Sequence, residues 1–337
     1  MAKQAATYEQ ILSDLKQKQY SPVYLLMGEE GFYIDLISDY IQNQILDEME
    51  REFNLTVLYG KDTDIATVVN AAKRYPMMSS YQVVIVKEAQ NIKAWDDLAY
   101  YLQKPLNSTI LVLCYKYGTP DKRKKWVQET AKTGIVFESN KLRDYEIAGW
   151  IGKYAKSKNI QLDEKATAVL AEFLGTDLSK IANELDKLML TVPVGTRINL
   201  EIIEKNIGIS KDYNVFELQA ALINKDILKA NRIIRYFAEN KKNNPLVVVL
   251  GQLFNFFTNL MIYHYLADKS QMTVSSELKI NPYFVKDYAK AAQAFGAWKT
   301  MNIISYIRET DARSKGVENA GADDGDLLKE LIYKILH

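Results

Sequence analysis

The sequence predicts a parallel α/β domain followed by two all-α domains. Apolar, β-branched runs alternate with helix-like segments through the first 140 residues, which is typical of a parallel sheet with helices on both faces. Beyond residue 140 the apolar residues recur at helical spacing only. A chain of 337 residues is also too long for one ordinary core. We therefore predict domains at residues 1–140, 141–210 and 211–337.

Five strands are predicted in the first domain. Each is a short apolar run next to turn residues or a helix-like segment, and the runs at 82–89 and 109–115 are continuous, which indicates burial on both faces. The predicted strands cover residues 22–27, 54–60, 82–89, 109–115 and 134–139.

Helices are predicted around and between these strands. One covers about residues 7–18, and others follow the first three strands at about 31–49, 64–74 and 95–104. Asp62 and Thr63 stand where a side-chain oxygen would cap the helix at 64–74.

The rest of the chain shows amphipathic helices. Leu178, Ile181, Leu185 and Leu188 recur at spacings that place them on one helix face. A turn at 191–198 precedes a short helix, and a second helical block starts at Val215. The last helix carries Leu327, Leu328, Leu331, Ile332 and Ile335.

Composition narrows the possible functions. Lys and Arg number 43 against 42 Asp and Glu, so the net charge is +1 and any nucleic-acid contact must come from local patches. The single cysteine excludes internal disulfides and fits a reducing compartment. We expect no signal peptide, because the N-terminus is polar and amphipathic. Residues 245–266 are apolar but contain Gln252, Asn255, Asn259 and His264, so we interpret them as a buried helix and expect no membrane contact.

The stretch Gly28-Glu-Glu-Gly-Phe-Tyr-Ile-Asp35 lies between a strand and a helix, as the phosphate-binding loop of P-loop NTPases does. A working loop, G-x-x-x-x-G-K-[ST], supplies backbone N–H groups, a lysine and a magnesium-binding hydroxyl. Counted from Gly28, the last three positions hold Tyr33, Ile34 and Asp35. A tyrosine fills the loop, an isoleucine replaces the cation, and a carboxylate repels phosphate. The motif therefore predicts a nucleotide fold that binds no nucleotide.

Other catalytic patterns are weak. The strand VVIV ends in Lys87-Glu88, where a magnesium-binding acid would be expected. His264 is interpreted as a core-edge residue, His337 as a tail and Cys114 as a core residue. No cysteine- or histidine-rich metal cluster stands out, so we expect no metal, no cofactor and no intrinsic catalytic activity. An active nucleotide hydrolase with an unfamiliar site is the competing hypothesis, and it predicts ATP binding by the isolated chain.

Two positive features remain. Tyr75, Pro76, Met77 and Met78 precede the buried strand at 82–89, and two flexible methionines after a helix-ending proline suit insertion into a partner's pocket. The alternative is that both methionines tuck under the sheet edge. Lys122, Arg123, Lys124 and Lys125 form a basic block at a predicted helix start, where positive charge opposes the macrodipole. A phosphate backbone is one explanation for this block, and a solvated face is the other.

Several segments in order carry a family resemblance. They are PVYLLMGEEGFYID, MMSSYQVVIVKEAQ, DKRKKW, GTDLSKIANELDKL, NPYFVKDYAKAA (281–292) and TDARSKG with LLKELIYKIL (310–336). Through them the chain resembles, nearly end to end, the delta subunits of bacterial DNA polymerase III, which are clamp-loader subunits.

The resemblance implies an AAA+-like α/β domain, a small helical lid and a helical collar. It implies a cytoplasmic, replisome-associated subunit of the DNA polymerase III complex that binds and opens the beta sliding clamp without hydrolysing ATP. The implied partners are that clamp, the tau/gamma and delta-prime subunits, and primer–template DNA. The family's clamp-binding pair falls on Met77 and Met78, where relatives often carry Leu-Phe. Primer–template DNA passing through the ring would be held by its phosphates, a role for which Lys122 to Lys125 are candidates. An adaptor of the same fold for another partner, such as a helicase, is the alternative.

Overall fold

The computed structural model describes residues 6–193, 195–208, 210, 212–319 and 321–337. Its contacts divide the chain into two compact units, one ending at Leu142 and the other beginning at Arg143. The predicted boundary at 210 inside the second unit stays a prediction, although one hydrophobic core of that unit draws its buried residues only from Leu218 to Ile335.

The first unit is built on a five-stranded parallel sheet, as predicted. Strand order is β2-β3-β4-β1-β5, and β1 is paired in parallel register with both β4 and β5. The strands are β1 (Val23–Gly28), β2 (Leu55–Tyr59), β3 (Gln82–Lys87), β4 (Thr109–Lys116) and β5 (Ile135–Ser139). Because all strands run the same way, their carboxyl ends form one edge of the sheet and their amino ends form the other.

Helices cover both faces of this sheet. Tyr24 and Leu26 of β1 face a core formed with α1 and α2, whereas Val23 and Leu25 face a core formed with α4, α5 and α6. The helices of this unit are α1 (Tyr8–Lys16), α2 (Gly31–Gln44), α3 (Glu48–Asn54), α4 (Ile65–Ala72), α5 (Leu98–Gln103) and α6 (Lys125–Thr133), with a 3-10 turn at Ala89–Asn91. The alternation along each strand confirms a sheet buried on both faces.

Two helix boundaries differ from the prediction. The helix expected over 31–49 is interrupted, because Asp47 and Glu50 form a capping box that starts α3: the Asp47 carboxylate accepts from the Glu50 N–H at 2.8 Å and the Glu50 carboxylate from the Asp47 N–H at 3.0 Å. Helix α4 is capped by Asp64, which accepts from the Thr67 N–H at 2.8 Å, so the prediction of Asp62 and Thr63 as caps is wrong.

The second unit consists of helices and one two-stranded pairing, β6 (Gln161–Leu162) with β7 (Arg197–Ile198). The helices are α7 (Asp144–Ser157), α8 (Glu164–Leu174), α9 (Leu178–Thr191), α10 (Leu200–Ile207), α11 (Val215–Ile223), α12 (Ile227–Glu239), α13 (Leu246–Tyr265), α14 (Gln271–Leu278), α15 (Val285–Ala294), α16 (Ala297–Ser314) and α17 (Asp324–Leu336), with a 3-10 turn at Pro282–Phe284.

Helix α13 corresponds to the apolar stretch at 245–266. Within the described residues it is the one helix long and apolar enough to cross a membrane by length and composition, which is weak evidence for a span. Its buried residues, among them Leu253, Phe257 and Leu260, lie in the core at 218–335. We therefore interpret α13 as the central helix of that core.

Glu217 on α11 connects three helices of the second unit. Its carboxylate accepts from Lys165 of α8 at 2.7 Å and is paired with Lys229 of α12. Burial by itself would raise the pKa of Glu217, but the hydrogen bonds and charges of the two lysines outweigh it and hold the pKa below its ordinary value. A lowered folded-state pKa stabilises the fold above the ordinary pKa of glutamate, and this contribution is lost as the pH falls through the folded-state value.

Glu217→Gln is therefore expected to lower the free energy of unfolding by about 1 kcal/mol at pH 7, a value that allows for the half-exposed lysines. The loss should shrink towards zero near pH 3, and urea unfolding at both pH values measures it. Glu239→Gln, which removes an exposed pair with Arg235, is the matched control and should change little at either pH. An equal loss at both pH values for Glu217→Gln would contradict the ion-pair explanation.

Candidate functional site

The segment that corresponds to a phosphate-binding loop is very short. Strand β1 ends at Gly28 and α2 begins at Gly31, so only two residues separate them. Tyr33, which the sequence count placed in the loop, lies instead in the first turn of α2, and Ile34 is 0% exposed in the core beneath the sheet. The position of the P-loop lysine thus belongs to the hydrophobic core.

The backbone amides of this segment are bonded within the chain. The Gly28 N–H donates to the Gly118 carbonyl at 2.9 Å and the Glu30 N–H to the Ser139 carbonyl at 3.1 Å. The buried Glu30 carboxylate accepts from the Phe32 N–H at 2.8 Å, so a protein carboxylate caps α2 where a P-loop would bind phosphate. Gly28 has φ +134°, and a Cβ there would stand 2.0 Å from the Ser139 carbonyl oxygen. The glycine therefore serves close backbone packing.

The charged residues around this segment pair with one another. Asp35 contacts the Lys116 ammonium at 2.5 Å. Burial lowers the pKa of Lys116, but the hydrogen bond to Asp35 and its charge outweigh burial and leave the pKa raised. Glu88, the candidate strand-end acid, lies 3.8 Å from Lys61. Among the described residues no group of three or more His, Cys, Asp or Glu side chains could hold a metal ion.

The loop before β3 is held by the Asn54 side chain at the end of α3. The Met77 N–H donates to Asn54 Oδ1 at 2.7 Å, and Asn54 Nδ2 donates to the Met77 carbonyl at 2.9 Å and to the Glu50 carbonyl at 3.0 Å. Asn54 is 1% exposed, so these bonds are shielded from water. One buried amide thus fixes the backbone of Met77 from both sides.

This arrangement leaves both methionine side chains in solvent. Met77 is 55% exposed, and Met78 is fully exposed. Met78 also has φ +53°, a left-handed conformation that costs a non-glycine residue about 1 kcal/mol. The alternative in which both methionines tuck under the sheet edge is wrong, because the buried group at this edge is Asn54. Tyr75 is exposed and Pro76 half-buried.

Asn54 is the residue that the sequence analysis missed. It was assigned to a predicted strand at 54–60, whereas it is the last residue of α3. Its partner Met77 lies 23 residues further along the chain, a distance at which no local pattern reports a hydrogen bond.

The basic block lies at the other edge of the sheet. It follows β4, at the carboxyl ends of the strands, whereas Met77 and Met78 precede β3 at the amino ends. Lys122 contacts Glu138 at 2.6 Å, Arg123 contacts Asp121 at 2.9 Å, and Lys125 lies over the Tyr100 ring at 5.3 Å. Only Lys125 is within α6, which has Lys124 as its N-cap. Structure therefore separates the two predicted site groups, and part of the basic block has partners within the chain.

The residues interpreted as structural are structural. Cys114 is buried in β4, and burial raises the pKa of its thiol to about 12, so it is unreactive at neutral pH. His264 Nε2 lies 2.9 Å from the Phe295 carbonyl oxygen at the edge of the helical core.

Comparisons with known proteins agree along the chain. A family model described as "DNA polymerase III, delta subunit" matches residues 24–140, and one described as "DNA polymerase III delta subunit, C-terminal domain" matches residues 212–332. The "DNA polymerase III subunit delta" of Bacillus subtilis (strain 168) is 25% identical over 336 residues, covering 95% of this chain and 94% of the relative. The solved structure of the Bacillus subtilis DNA clamp loader delta protein has a similar fold, with a TM-score of 0.54 and 23% identity, over 98% of this chain and 99% of that one.

Proposed function

The chain belongs to the DNA polymerase III delta-subunit family, and from this premise we propose that it binds the beta sliding clamp and opens it for loading on primed DNA, without hydrolysing ATP itself. Its partners in this proposal are the clamp, the tau/gamma and delta-prime subunits, and primer–template DNA. The observation that carries the proposal is the pair Met77–Met78, exposed on a loop that the buried Asn54 amide holds in place.

A folding role does not account for this pair. Burial of apolar side chains stabilises a fold, yet both methionines are exposed, and Met78 adds a left-handed backbone conformation. Two flexible thioether side chains on a fixed backbone are suited to a hydrophobic pocket on another protein, because little ordering of the loop is required on binding.

Opening a closed ring requires differential binding. A loop that bound the closed and opened clamp interfaces equally would not shift the equilibrium between them, however tightly it bound. We propose that Met77 and Met78 bind better to a clamp whose interface is distorted towards opening. Interaction energy at the pocket then offsets part of the cost of separating the interface.

The absence of ATP hydrolysis is supported by the segment after β1. Its amides bond to Gly118 and Ser139, its helix is capped by Glu30, and its lysine position is the buried Ile34. Control by ATP would then come from neighbouring subunits of the loader. A fluorescent ATP analogue with magnesium should show no saturable binding to the isolated chain at millimolar concentration, and saturable binding would favour the hydrolase hypothesis.

Clamp binding by the Met77→Ala/Met78→Ala variant tests the main proposal. We expect its affinity for the sliding clamp of the same organism to fall about thirtyfold, which corresponds to about 2 kcal/mol for losing a central apolar contact. Surface plasmon resonance with immobilised clamp measures the change.

Two further variants make this test specific. Met272→Ala removes an equally exposed methionine from α14 and should bind the clamp as the wild type does. Met78→Gly should be at least as stable as the wild type, because glycine tolerates φ +53°, yet should bind the clamp more weakly. Wild-type protein that ignores the clamp, or a double variant that binds it normally, would refute the proposal.

The basic block stays a prediction as a DNA-phosphate contact. The pairs of Lys122 with Glu138 and of Arg123 with Asp121 would have to be exchanged for phosphate contacts on DNA binding. Such an exchange lowers the net gain per phosphate, so we propose only a modest contribution from these residues.

A further inference from the structure

A groove opens in the first unit beside the Met77–Met78 loop. It has a volume of about 430 Å³ and lies between the end of α4 and helix α5, with Lys73, Tyr75, Asp97, Tyr100 and Lys104 along its walls. Lys73 and Tyr75 precede β3, and Lys104 precedes β4, so this part of the groove lies at the amino-end edge of the sheet.

The floor of the groove is rigid. Tyr101 is buried there, and its hydroxyl donates to the Ala72 carbonyl at 3.2 Å. The Thr109 hydroxyl donates to the same carbonyl at 2.9 Å. These two bonds tie the end of α4 to α5 and to the start of β4. The groove is therefore preformed, which lowers the ordering cost of binding a ligand.

The walls combine exposed aromatic rings with positive charge. Tyr75 is 76% exposed and Tyr100 is 70% exposed, and the Lys125 ammonium lies 5.3 Å from the centroid of the Tyr100 ring. Two lysines face one carboxylate, Asp97, across the groove. Within the described part of the chain neither Lys73 nor Lys104 forms a salt bridge. Neither the rings nor these two ammonium groups contribute burial or ion pairing to the fold.

We propose that this groove binds single-stranded nucleic acid, with Tyr75 and Tyr100 stacking on bases and with Lys73 and Lys104 contacting phosphates. Exposed rings next to cations are the elements that bind single strands without sequence preference, because every base offers a π-face. In a duplex the bases are already stacked and inaccessible to such rings. An acidic peptide would use the lysines and leave both rings without a role.

This role is separate from clamp binding. Tyr75 stands two residues before Met77, so a strand in the groove would lie beside the proposed clamp contact. The inference stands on the groove itself and does not require the clamp proposal to hold.

Fluorescence anisotropy of a labelled fifteen-nucleotide oligo(dT) with the full chain at low salt tests the proposal. We expect Tyr75→Ala/Tyr100→Ala to weaken binding about tenfold or more, since each stacked base is worth about 1–3 kcal/mol. Lys73→Gln/Lys104→Gln should weaken binding and reduce the slope of log affinity against log salt by about 1. Clamp binding should persist in the tyrosine variant, which separates failure of this proposal from failure of the other.

Controls identify the ligand. Tyr117→Ala removes an equally exposed tyrosine next to the carboxyl end of β4 and should leave oligo(dT) binding unchanged. A duplex of the same length should bind more weakly than the single strand. The proposal is overturned if the tyrosine variant binds oligo(dT) as the wild type does, if the duplex binds as well, or if a poly-glutamate peptide competes equally well.

Discussion

Ile34→Lys, which restores the residue type of a working phosphate loop, is expected to destabilise the protein by about 4 to 5 kcal/mol at pH 7 and to create no ATP binding. Ile34 is 0% exposed, so the lysine must lose its charge in the core. Holding an amine neutral costs about 1.4 kcal/mol for each unit between pH 7 and the ordinary lysine pKa near 10.4. Urea unfolding of the full chain measures the loss.

The control for this variant lies on the same helix. Leu36 of α2 is partly exposed, and Leu36→Lys is expected to change the free energy of unfolding by less than about 1 kcal/mol. A buried lysine has a lowered folded-state pKa, so the unfolded state binds more protons and the stability of Ile34→Lys should recover as the pH rises from 7 towards 10. A stable Ile34→Lys variant that binds ATP would show that the segment is still a nucleotide site.

Asn54→Ala is expected to lower the free energy of unfolding by about 2 to 4 kcal/mol and to weaken clamp binding at least as much as the double methionine variant. The substitution leaves the Met77 N–H and carbonyl without their buried partner. With its backbone released, the loop samples many conformations, and ordering it again on the clamp adds an entropic cost. Urea unfolding and surface plasmon resonance measure the two effects.

The matched control is Asn43→Ala, which removes an exposed asparagine side chain of α2 and should leave stability and clamp affinity close to those of the wild type. Asn54→Asp sharpens the test, because a carboxylate keeps the acceptor for the Met77 N–H and loses the donor to the Met77 carbonyl. It should impair clamp binding as well. Normal clamp affinity in both Asn54 variants would show that the loop needs no fixed backbone to act.

The α/β domain was predictable because its strands are short continuous apolar runs, and five such runs became five parallel strands. The break between α2 and α3 also had a local signal, Asp47 followed by Glu50, which the apolar periodicity of the segment obscured. The capping of α4 by Asp64 was misassigned by one or two residues, because Asp62, Thr63 and Asp64 can all cap a helix, and only the backbone path selects among them.

The conclusion that the phosphate loop is degenerate could be reached from Tyr33, Ile34 and Asp35, although its physical basis differs. Counting residues assumed a loop of ordinary length, whereas α2 starts at Gly31 and draws Ile34 into the core. The amide bonds to Gly118 and Ser139 join residues about 90 and 109 positions away, so no inspection of the motif could find them.

The sequence by itself determined the elements and the chemistry that is missing, because hydrophobic period, capping residues and motif positions are local properties of the chain. Tertiary structure alone decided which groups meet. It placed the Asn54 amide on the Met77 backbone, joined Lys122 to Glu138, and brought Tyr75 and Tyr100 to one groove. Hydrogen bonds, ion pairs and grooves depend on distances of a few ångströms between residues far apart in the chain, and only the packing of the helices on the sheet sets those distances.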